Sequence, residues 1–404
     1  MEHIKHMEHS KHSIPKGNSK RVAVIVTEYS FNSHADVILG RLLGEFDYKP
    51  RIEVAAIYTD QVPAGDMSRE KAAVSGVPIY ATIEETLKMA HVNGGLDGII
   101  LIGEHGDYPE DERGRKWYPR RRFLEEVLQV LDRIQVKLPI FSDKHLSYDI
   151  DHTVWMYNEL RERDLPFMGG SSIPHAPHVP VMDPIHLADA VEWLVVSFSS
   201  QTEAYGYHAL DVLQSLAEKR VGSARGVSSI LALQGEEVWQ AMDRKEWPED
   251  LLLKAMALFN KNDSVDDLVS TDLRDMNDPN ELNELNELVD STHPRFSSEK
   301  TVLFIVHYVN GTKGYVIQQH NWIDRWGFSF RKSTGELDAA ICHSDLDRPF
   351  THFETLTRII EDFIITGVEP FPMERTFLSS GLINYGMESL YQRKRLETAE
   401  LIIK

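Results

Sequence analysis

Short apolar runs alternate with segments of helical periodicity over the first part of the chain. The runs at residues 22–26, 52–58 and 96–102 are rich in β-branched residues, as is typical of strands buried on both faces of a sheet. Amphipathic segments such as 123–134 lie between the runs and are predicted as helices. Strands that alternate with helices indicate βαβ units and a parallel sheet. Because such crossovers are right-handed, we predict a doubly wound, Rossmann-like α/β domain over residues 21–170.

The remaining residues, 171–404, have a different pattern. One pair of apolar runs flanks the Asn-Gly dipeptide at 310–311, and a second pair flanks a Ser-Thr-Gly turn at 333–335, so two β-hairpins are predicted. The acidic stretch 235–299 contains three tandem Asn-Glu-Leu units at 280–288 and is predicted as helix and loop. Consecutive hairpins indicate a mixed or antiparallel sheet, so this part is expected to be an α+β domain for substrate binding and oligomerisation.

Composition narrows the class of partner and the compartment. The chain has 63 acidic and 43 basic residues, for a net charge of −20, whereas a nucleic-acid partner requires a basic face. Its single cysteine, Cys342, cannot form an internal disulfide, so a reducing, cytoplasmic compartment is expected. No apolar run approaches the ~18 residues that span a bilayer, and no membrane partner is expected. Residues 1–20, with a histidine every three residues, are predicted to be a disordered leader.

The turn after the first strand lacks the glycines of a dinucleotide site. Rossmann domains that bind dinucleotides carry G-x-G-x-x-G here, which lets backbone amides approach the pyrophosphate. Val26, Glu28 and Phe31 fill the three glycine positions in this chain. Glu28 would repel a pyrophosphate and Phe31 would obstruct it, so we expect no tight NAD(P) binding. If NAD(P) does bind, Thr27 in this turn and Asp60 after the second strand are the expected contacts.

Polar side chains follow the strand predicted at 96–102. Glu104 and His105 lie between two glycines directly after it. Because ligands of open α/β sheets bind beyond the carboxyl ends of the strands, both side chains are candidates for substrate binding. A basic run at 113–122 ends at Arg122, a further candidate for substrate binding. This run is either an anion clamp over the crevice or a solvated loop.

Three later segments carry a resemblance to a known family. They are 138–170, the GYHALD stretch at 206–211, and 369–398. With them the chain resembles the glucose–fructose oxidoreductase and inositol dehydrogenase (Gfo/Idh/MocA) family, with the glycine fingerprint replaced. In that family a lysine in a turn after a strand and a histidine on a helix act on a sugar or polyol alcohol, while NAD(P) takes the hydride. The resemblance implies that Lys144 and His208 are catalytic.

Two departures from the family pattern change the candidate site. His145 stands where the family has proline, and Ala204 where it has aspartate. The nearest acid is Glu203, which we take as the third candidate catalytic residue. His145 is expected to bind substrate together with Glu104 and His105. Because imidazoles and carboxylates are common metal ligands, a divalent metal at these groups is an additional hypothesis.

The leading hypothesis is a Gfo/Idh/MocA-like enzyme that uses Lys144, His208 and Glu203 for acid–base chemistry on a sugar-like or polyhydroxylated small molecule. Elimination, hydration, isomerisation and a redox step all fit these residues. One alternative is an NAD(P)-dependent sugar or polyol oxidoreductase with a non-standard nucleotide loop. Another is a non-catalytic protein that binds a small molecule. In the resembling family the outer face of the second sheet makes subunit contacts, which implies a homo-oligomer.

Overall fold

The first sheet has six parallel strands. The structure is a computed structural model that describes residues 19–222, 226–259, 300–320, 322–345 and 347–403. The strands are β1 (Lys20–Val26), β2 (Ile52–Thr59), β3 (Ile79–Tyr80), β4 (Gly98–Ile102), β5 (Ile140–Asp143) and β6 (Phe167–Gly170). Their spatial order is β3-β2-β1-β4-β5-β6, so the predicted doubly wound, Rossmann-like sheet is confirmed. The order reverses between β1 and β4, which places the expected ligand crevice beyond the carboxyl ends of these strands.

Five helices connect these strands, namely α1 (His34–Leu42), α2 (Ser68–Ser75), α3 (Ile83–Val92), α4 (Arg120–Ile134) and α5 (Ile150–Glu162). Side-chain caps set the start of three of them, because Ser33, Thr82 and Asp149 accept hydrogen bonds from backbone N–H groups of the first turn. The apolar stripe of α4 is buried against the sheet. This helix begins at Arg120, three residues before the predicted start, which brings Arg120 to the crevice edge of the sheet.

The second sheet has eight strands, β7 (His178–Val179), β8 (Ala190–Phe198), β9 (Val227–Gln234), β10 (Thr301–Tyr308), β11 (Lys313–Gln319), β12 (Gly327–Lys332), β13 (Leu337–Cys342) and β14 (Leu396–Glu397). Their order is β14-β9-β10-β11-β8-β12-β13-β7. Both predicted hairpins form, because β10 pairs antiparallel with β11 and β12 with β13. The pairing of β11 with β8 is parallel, so the sheet is mixed, as predicted.

The helices described beyond β6 are α6 (Thr202–Ala217), α7 (Glu236–Asp243), α8 (Glu249–Met256), α9 (Thr351–Thr366) and α10 (Met373–Gln392). Short 3-10 turns lie at Ile173–His175, Pro184–Leu187 and Ala399–Leu401. Helices α6 and α10 cover one face of this sheet. Helix α9 instead packs on the first sheet, where Phe353 and Ile360 join the apolar cluster of Val22 and Val24. Among the described residues, no helix combines the length and apolar character needed to cross a membrane.

The outer face of the second sheet is covered by the chain itself. Trp239 of α7 and Leu251 of α8 belong to the same buried cluster as Leu194 and Ile305 of the sheet. Part of the face that suggested subunit contacts is therefore covered by α7 and α8, and the homo-oligomer remains a prediction. Residues 1–18 of the predicted leader 1–20 and the Asn-Glu-Leu units at 280–288 lie outside the described residues, whereas Lys20 already belongs to β1.

Candidate active site

Glu104 lies at the centre of a buried polar cluster beyond the carboxyl ends of β4 and β5. A Cβ on Gly103 would lie 2.6 Å from Cγ of Arg120, so glycine is needed here for α4 to approach the strand end. The Arg120 guanidinium pairs with Oε2 of Glu104, and Nζ of Lys144 lies 3.5 Å from its Oε1. Burial alone would raise the pKa of Glu104, but the charges of Lys144 and Arg120 outweigh it and hold that pKa below its usual range. Glu104 is thus a fixed negative charge.

Lys144 joins the first sheet to α6. Its backbone lies in the left-handed region, with φ of 67°, which is uncommon for a residue with a side chain. The Lys144 N–H donates to the carbonyl oxygen of Gly170 over 2.9 Å and so holds this conformation. Nζ donates to the carbonyl oxygen of Ala204, in the first turn of α6, over 3.1 Å. Because Lys144 is only 2% exposed, its ammonium group lies inside the cluster rather than in solvent.

Glu203 is a buried acid of this cluster that titrates near neutrality. It lies in the first turn of α6 and is 8% exposed. Its Oε2 accepts a hydrogen bond from the backbone N–H of Lys116 over 2.9 Å. Burial raises the pKa of Glu203 to about 7, although that hydrogen bond and the charge of Arg120 oppose the shift. A carboxyl group with such a pKa can both accept and donate a proton at neutral pH.

His145 connects Arg120 with Glu203. Its Nε2 lies 3.1 Å from Nη1 of Arg120 and 3.8 Å from Oε1 of Glu203. Because arginine can only donate, Nε2 accepts and the ring proton is on Nδ1. Burial and the charge of Arg120 lower the pKa of His145 well below its usual value, so the ring is neutral. Nδ1 is buried and has no hydrogen-bond partner among the residues that the structure describes.

His208 is held by residues that the sequence did not single out. Its Nδ1 lies 2.6 Å from Oγ of Ser171, and the Ser171 N–H donates to Oδ2 of Asp211 over 2.8 Å. Burial, with the charge of Lys144, lowers the pKa of His208 well below its usual value. The imidazole is therefore neutral and bonded to Ser171, which suits a hydrogen-bonding role better than proton transfer near pH 7.

His34, the first residue of α1, also reaches this cluster. Its Nδ1 lies 2.7 Å from Oδ2 of Asp143, the residue before Lys144. The His34 ring centroid is 5.2 Å from that of His105 and 6.5 Å from that of His208. Burial lowers the pKa of His105 to about 4, so this ring is neutral as well. No local motif marks His34, because its partners lie far along the chain.

The structure brings six sequence-predicted residues into one cluster with Arg120, namely Glu104, His105, Lys144, His145, Glu203 and His208. Arg122 does not join them, because its guanidinium pairs with Asp60 and Glu126 outside the cluster. Within the described parts of the chain, no group of three or more histidine, cysteine or acidic side chains is placed to hold a metal ion.

The two expected cofactor contacts at the ends of β1 and β2 are bonded within the chain. Thr27 Oγ1 donates to the carbonyl oxygen of Glu104 over 2.6 Å. The Asp60 carboxylate accepts from the hydroxyls of Tyr58 and Tyr108 over 2.6 and 2.7 Å, and it also pairs with Arg122. A ribose hydroxyl would have to displace these partners from Asp60. The arrangement therefore does not fit the acidic ribose contact of a dinucleotide site.

The amino terminus of α1, where a dinucleotide places its phosphates, already carries a carboxylate. Asp36 is fully buried and accepts from the backbone N–H of Asn32 over 3.0 Å. Arg348, from the connection between β13 and α9, pairs with Asp36 and lies 4.8 Å over the ring of Phe31. The backbone N–H groups of Asn32, Ser33 and Asp36 at this turn already have partners within the chain, so they are not free to bind a phosphate. The residues at this end of the sheet do not fit a dinucleotide.

Comparisons with known proteins identify the fold. No family model matches the chain, and no curated protein matches its sequence significantly. The structure is similar to GenD2 from gentamicin A biosynthesis in complex with NAD, with a TM-score of 0.56 and 10% identity over 96% of this chain and 99% of that one. It is also similar to a putative myo-inositol dehydrogenase from Sinorhizobium meliloti 1021, with a TM-score of 0.53 and 12% identity over 94% and 100% of the chains.

A third similar structure has a ligand in its description. It is scyllo-inositol dehydrogenase from Lactobacillus casei with bound NAD(H) and scyllo-inositol, with a TM-score of 0.55 and 8% identity over 94% of this chain and 99% of that one. At such identities the similarity establishes the shared fold, over nearly the whole length of each protein.

Proposed function

We propose that this protein is a Gfo/Idh/MocA-like enzyme that performs acid–base chemistry on a sugar-like or polyhydroxylated small molecule without a nicotinamide cofactor. The observation that carries the proposal is Glu203, a buried carboxyl group with a pKa of about 7 beside the charged pair of Lys144 and Glu104. Titratable groups with shifted pKa values that converge in a crevice are typical of active sites.

The polarity of the cluster supports a ligand with many hydroxyl groups. Nε2 of His105, Nδ1 of His145 and Nε of Arg120 are buried without a hydrogen-bond partner among the described residues. Buried polar atoms are nearly always satisfied, and a polyol supplies both donors and acceptors at short spacing. Two of the similar structures are described as inositol dehydrogenases, which supports the same substrate class.

Each candidate residue has a distinct role in this proposal. Glu203 exchanges a proton with the substrate, because its pKa allows both protonation states near pH 7. Lys144 presents a positive charge to the oxygen on which negative charge develops during the reaction. His208 is neutral and held by Ser171, so it orients a hydroxyl group through a hydrogen bond. Glu104 keeps Lys144 and Arg120 in position through its ion pairs.

The second candidate function is an NAD-dependent polyol dehydrogenase. It is favoured by the similar structures that contain NAD. It is disfavoured by Asp36 and Phe31 at the start of α1 and by the internal bonds of Asp60. A non-catalytic binding protein is the third candidate, for which ligand binding would survive the loss of Lys144 and no substrate would turn over.

The test is turnover in the absence of nucleotide. Polyols, aldoses, ketoses and oxidised inositols are incubated with the purified protein and followed by NMR, with and without NAD(P). We expect conversion without nucleotide and its loss in Glu203→Gln. Glu237→Gln, at an exposed acid in the first turn of α7, is the matched control and should keep wild-type activity. Conversion that requires NAD(P) would establish the dehydrogenase instead.

A further inference from the structure

We infer that His34 and Asp143 form a second acid–base pair of this site, with His34 as the catalytic residue and Asp143 as its positioning residue. The inference rests on the proposed function and adds to it the class of reaction. The first helix contacts the end of β5 here, because Nδ1 of His34 lies 2.7 Å from Oδ2 of Asp143.

The Asp143 carboxylate fixes which nitrogen of His34 can act as a base. Its side chain is 1% exposed, so its position is set by the surrounding protein. A carboxylate beside Nδ1 selects the tautomer with the proton on that nitrogen, which leaves the lone pair on Nε2. Within the described residues, the ring forms its hydrogen bond through Nδ1 alone. The side chain of His34 remains 14% exposed, so the ring is not sealed from solvent.

The location of His34 places it beside two of the groups already described. Its ring lies 6.5 Å from the ring of His208 and 5.2 Å from that of His105, between centroids. Glu203 and Lys144 approach the same crevice from α6 and from the end of β5. In a dinucleotide-binding Rossmann domain the cofactor lies at the start of the first helix. Here an imidazole with a free nitrogen takes that place.

A base and an acid in one site can together move a proton between two carbons without an oxidant. The substrate class is then an α-hydroxycarbonyl compound, such as an aldose, a ketose or an oxidised inositol. Nε2 of His34 takes the hydrogen of the hydroxyl-bearing carbon as a proton, and the C–H electron pair forms the C=C bond of an enediol. The carbonyl π electrons move to oxygen, which takes a proton from Glu203.

Reversal at the neighbouring carbon completes the reaction. His34 returns its proton to the former carbonyl carbon, Glu203 recovers a proton from the hydroxyl of the other enediol carbon, and a carbonyl group forms there. The product is an isomer of the substrate, so atoms and electrons balance. Because protons on the imidazole exchange with solvent, the product should carry hydrogen from water at carbon.

The test is deuterium incorporation in D₂O without nucleotide, followed by ¹H NMR of the substrate that the protein converts. We expect wild type to introduce deuterium at carbon, and His34→Gln to lose at least about 100-fold in this rate. Asp143→Asn should lower kcat about tenfold or more with KM nearly unchanged, because the tautomer is lost while the binding groups remain. His186→Gln, at a half-buried histidine of the 3-10 turn Pro184–Leu187, is the control.

Two results would overturn the inference while the proposed function stands. They are turnover by wild type without deuterium at carbon, and wild-type exchange in His34→Gln. If no candidate is converted without nucleotide, the proposed function fails and the inference fails with it. If His34→Gln does not fold, the kcat and KM of Asp143→Asn decide, because a structural disturbance would change both constants.

Discussion

Two regions of one sheet edge differ in how their polar groups are used. At the ends of β1 and β2 and the start of α1, Thr27, Asp36 and Asp60 all bond within the chain. At the ends of β4 and β5, the cluster around Glu104 contains a buried acid with a pKa of about 7, whereas buried polar atoms without partners among the described residues occur in both regions. We call the first region the β1–β2 edge and the second the β4–β5 crevice.

The difference distinguishes polar groups that stabilise the fold from polar groups that are candidates for catalysis. Groups at the β1–β2 edge stabilise the folded chain, because their charges are satisfied by neighbours such as Arg348 and Tyr58. Groups in the β4–β5 crevice are held in costly states, such as the left-handed backbone of Lys144 and the shifted pKa of Glu203. A shared fold does not fix the use of either region, so the function has to be argued from the site.

The largest expected effect is on turnover in the β4–β5 crevice. Lys144→Met keeps the apolar stem and removes the charge, and it should reduce turnover by about 100- to 10,000-fold. Stability should fall less, because Glu104 keeps its ion pair with Arg120. Initial rates and urea unfolding measure the two effects, with Lys88→Met at an exposed helix position as the control. A wild-type rate in Lys144→Met would show that the charge of Lys144 in the β4–β5 crevice takes no part in the reaction.

At the β1–β2 edge the largest effect should be on stability instead. Arg348→Gln leaves the fully buried Asp36 carboxylate without its charged partner, at an expected cost of about 2–3 kcal/mol in the free energy of unfolding. The value is at the low end for a buried pair because the Arg348 side chain is 33% exposed. Lys137→Gln breaks a solvent-exposed pair with Asp164 and should change stability by less than about 0.5 kcal/mol. Equal effects in urea unfolding would contradict the comparison.

Glu203→Gln should increase stability while it abolishes activity. Folding raises the Glu203 pKa from 4.5 to about 7, so the folded state binds the extra proton between these values. Its contribution to stability therefore falls as pH rises through this window. Glutamine carries no charge, so the variant should gain relative to wild type, from near zero at pH 4.5 to about 2–3 kcal/mol at pH 8.

Unfolding of both proteins across this pH range measures the difference. Histidines whose pKa is lowered in the folded state, such as His105, have the opposite effect on stability. Their contribution to the free energy of unfolding decreases as pH falls. They are common to both proteins and cancel in the difference. A pH-independent difference between Glu203→Gln and wild type would show that Glu203 is already ionised throughout and is not the acid of the site.

Local patterns were sufficient for most of the fold and for part of the site. Strand and helix periodicity located the first sheet, and parallel strands whose ends share an edge brought Glu104 and Lys144 together. The same patterns could not select Arg120 over Arg122, because that choice depends on where α4 begins. His34 and Asp143 are 109 residues apart. Pairings at such separation leave no periodic signal and become visible only in the folded chain.

The smallest expected effect is on nucleotide binding, which should be undetectable. We expect NAD(P) to bind more weakly than about 1 mM, that is, with less than about 4 kcal/mol of binding free energy. Asp36 binds the backbone N–H of Asn32 at the start of α1, where a dinucleotide would place its phosphates, and Asp60 is engaged by Tyr58 and Tyr108.

Calorimetric titration with NAD⁺ and NADPH, and mass spectrometry of the purified protein under native conditions, measure this binding. Asp36→Asn sharpens the test, because it removes the repelling charge and leaves Phe31 and the Asp60 contacts in place. It should not restore binding if the whole β1–β2 edge has become structural. A dissociation constant in the low micromolar range for wild type, or a nucleotide that copurifies with it, would mean that this edge opens to admit a cofactor. The two regions would then form one active site, with His34 displaced by the nicotinamide rather than acting as a base.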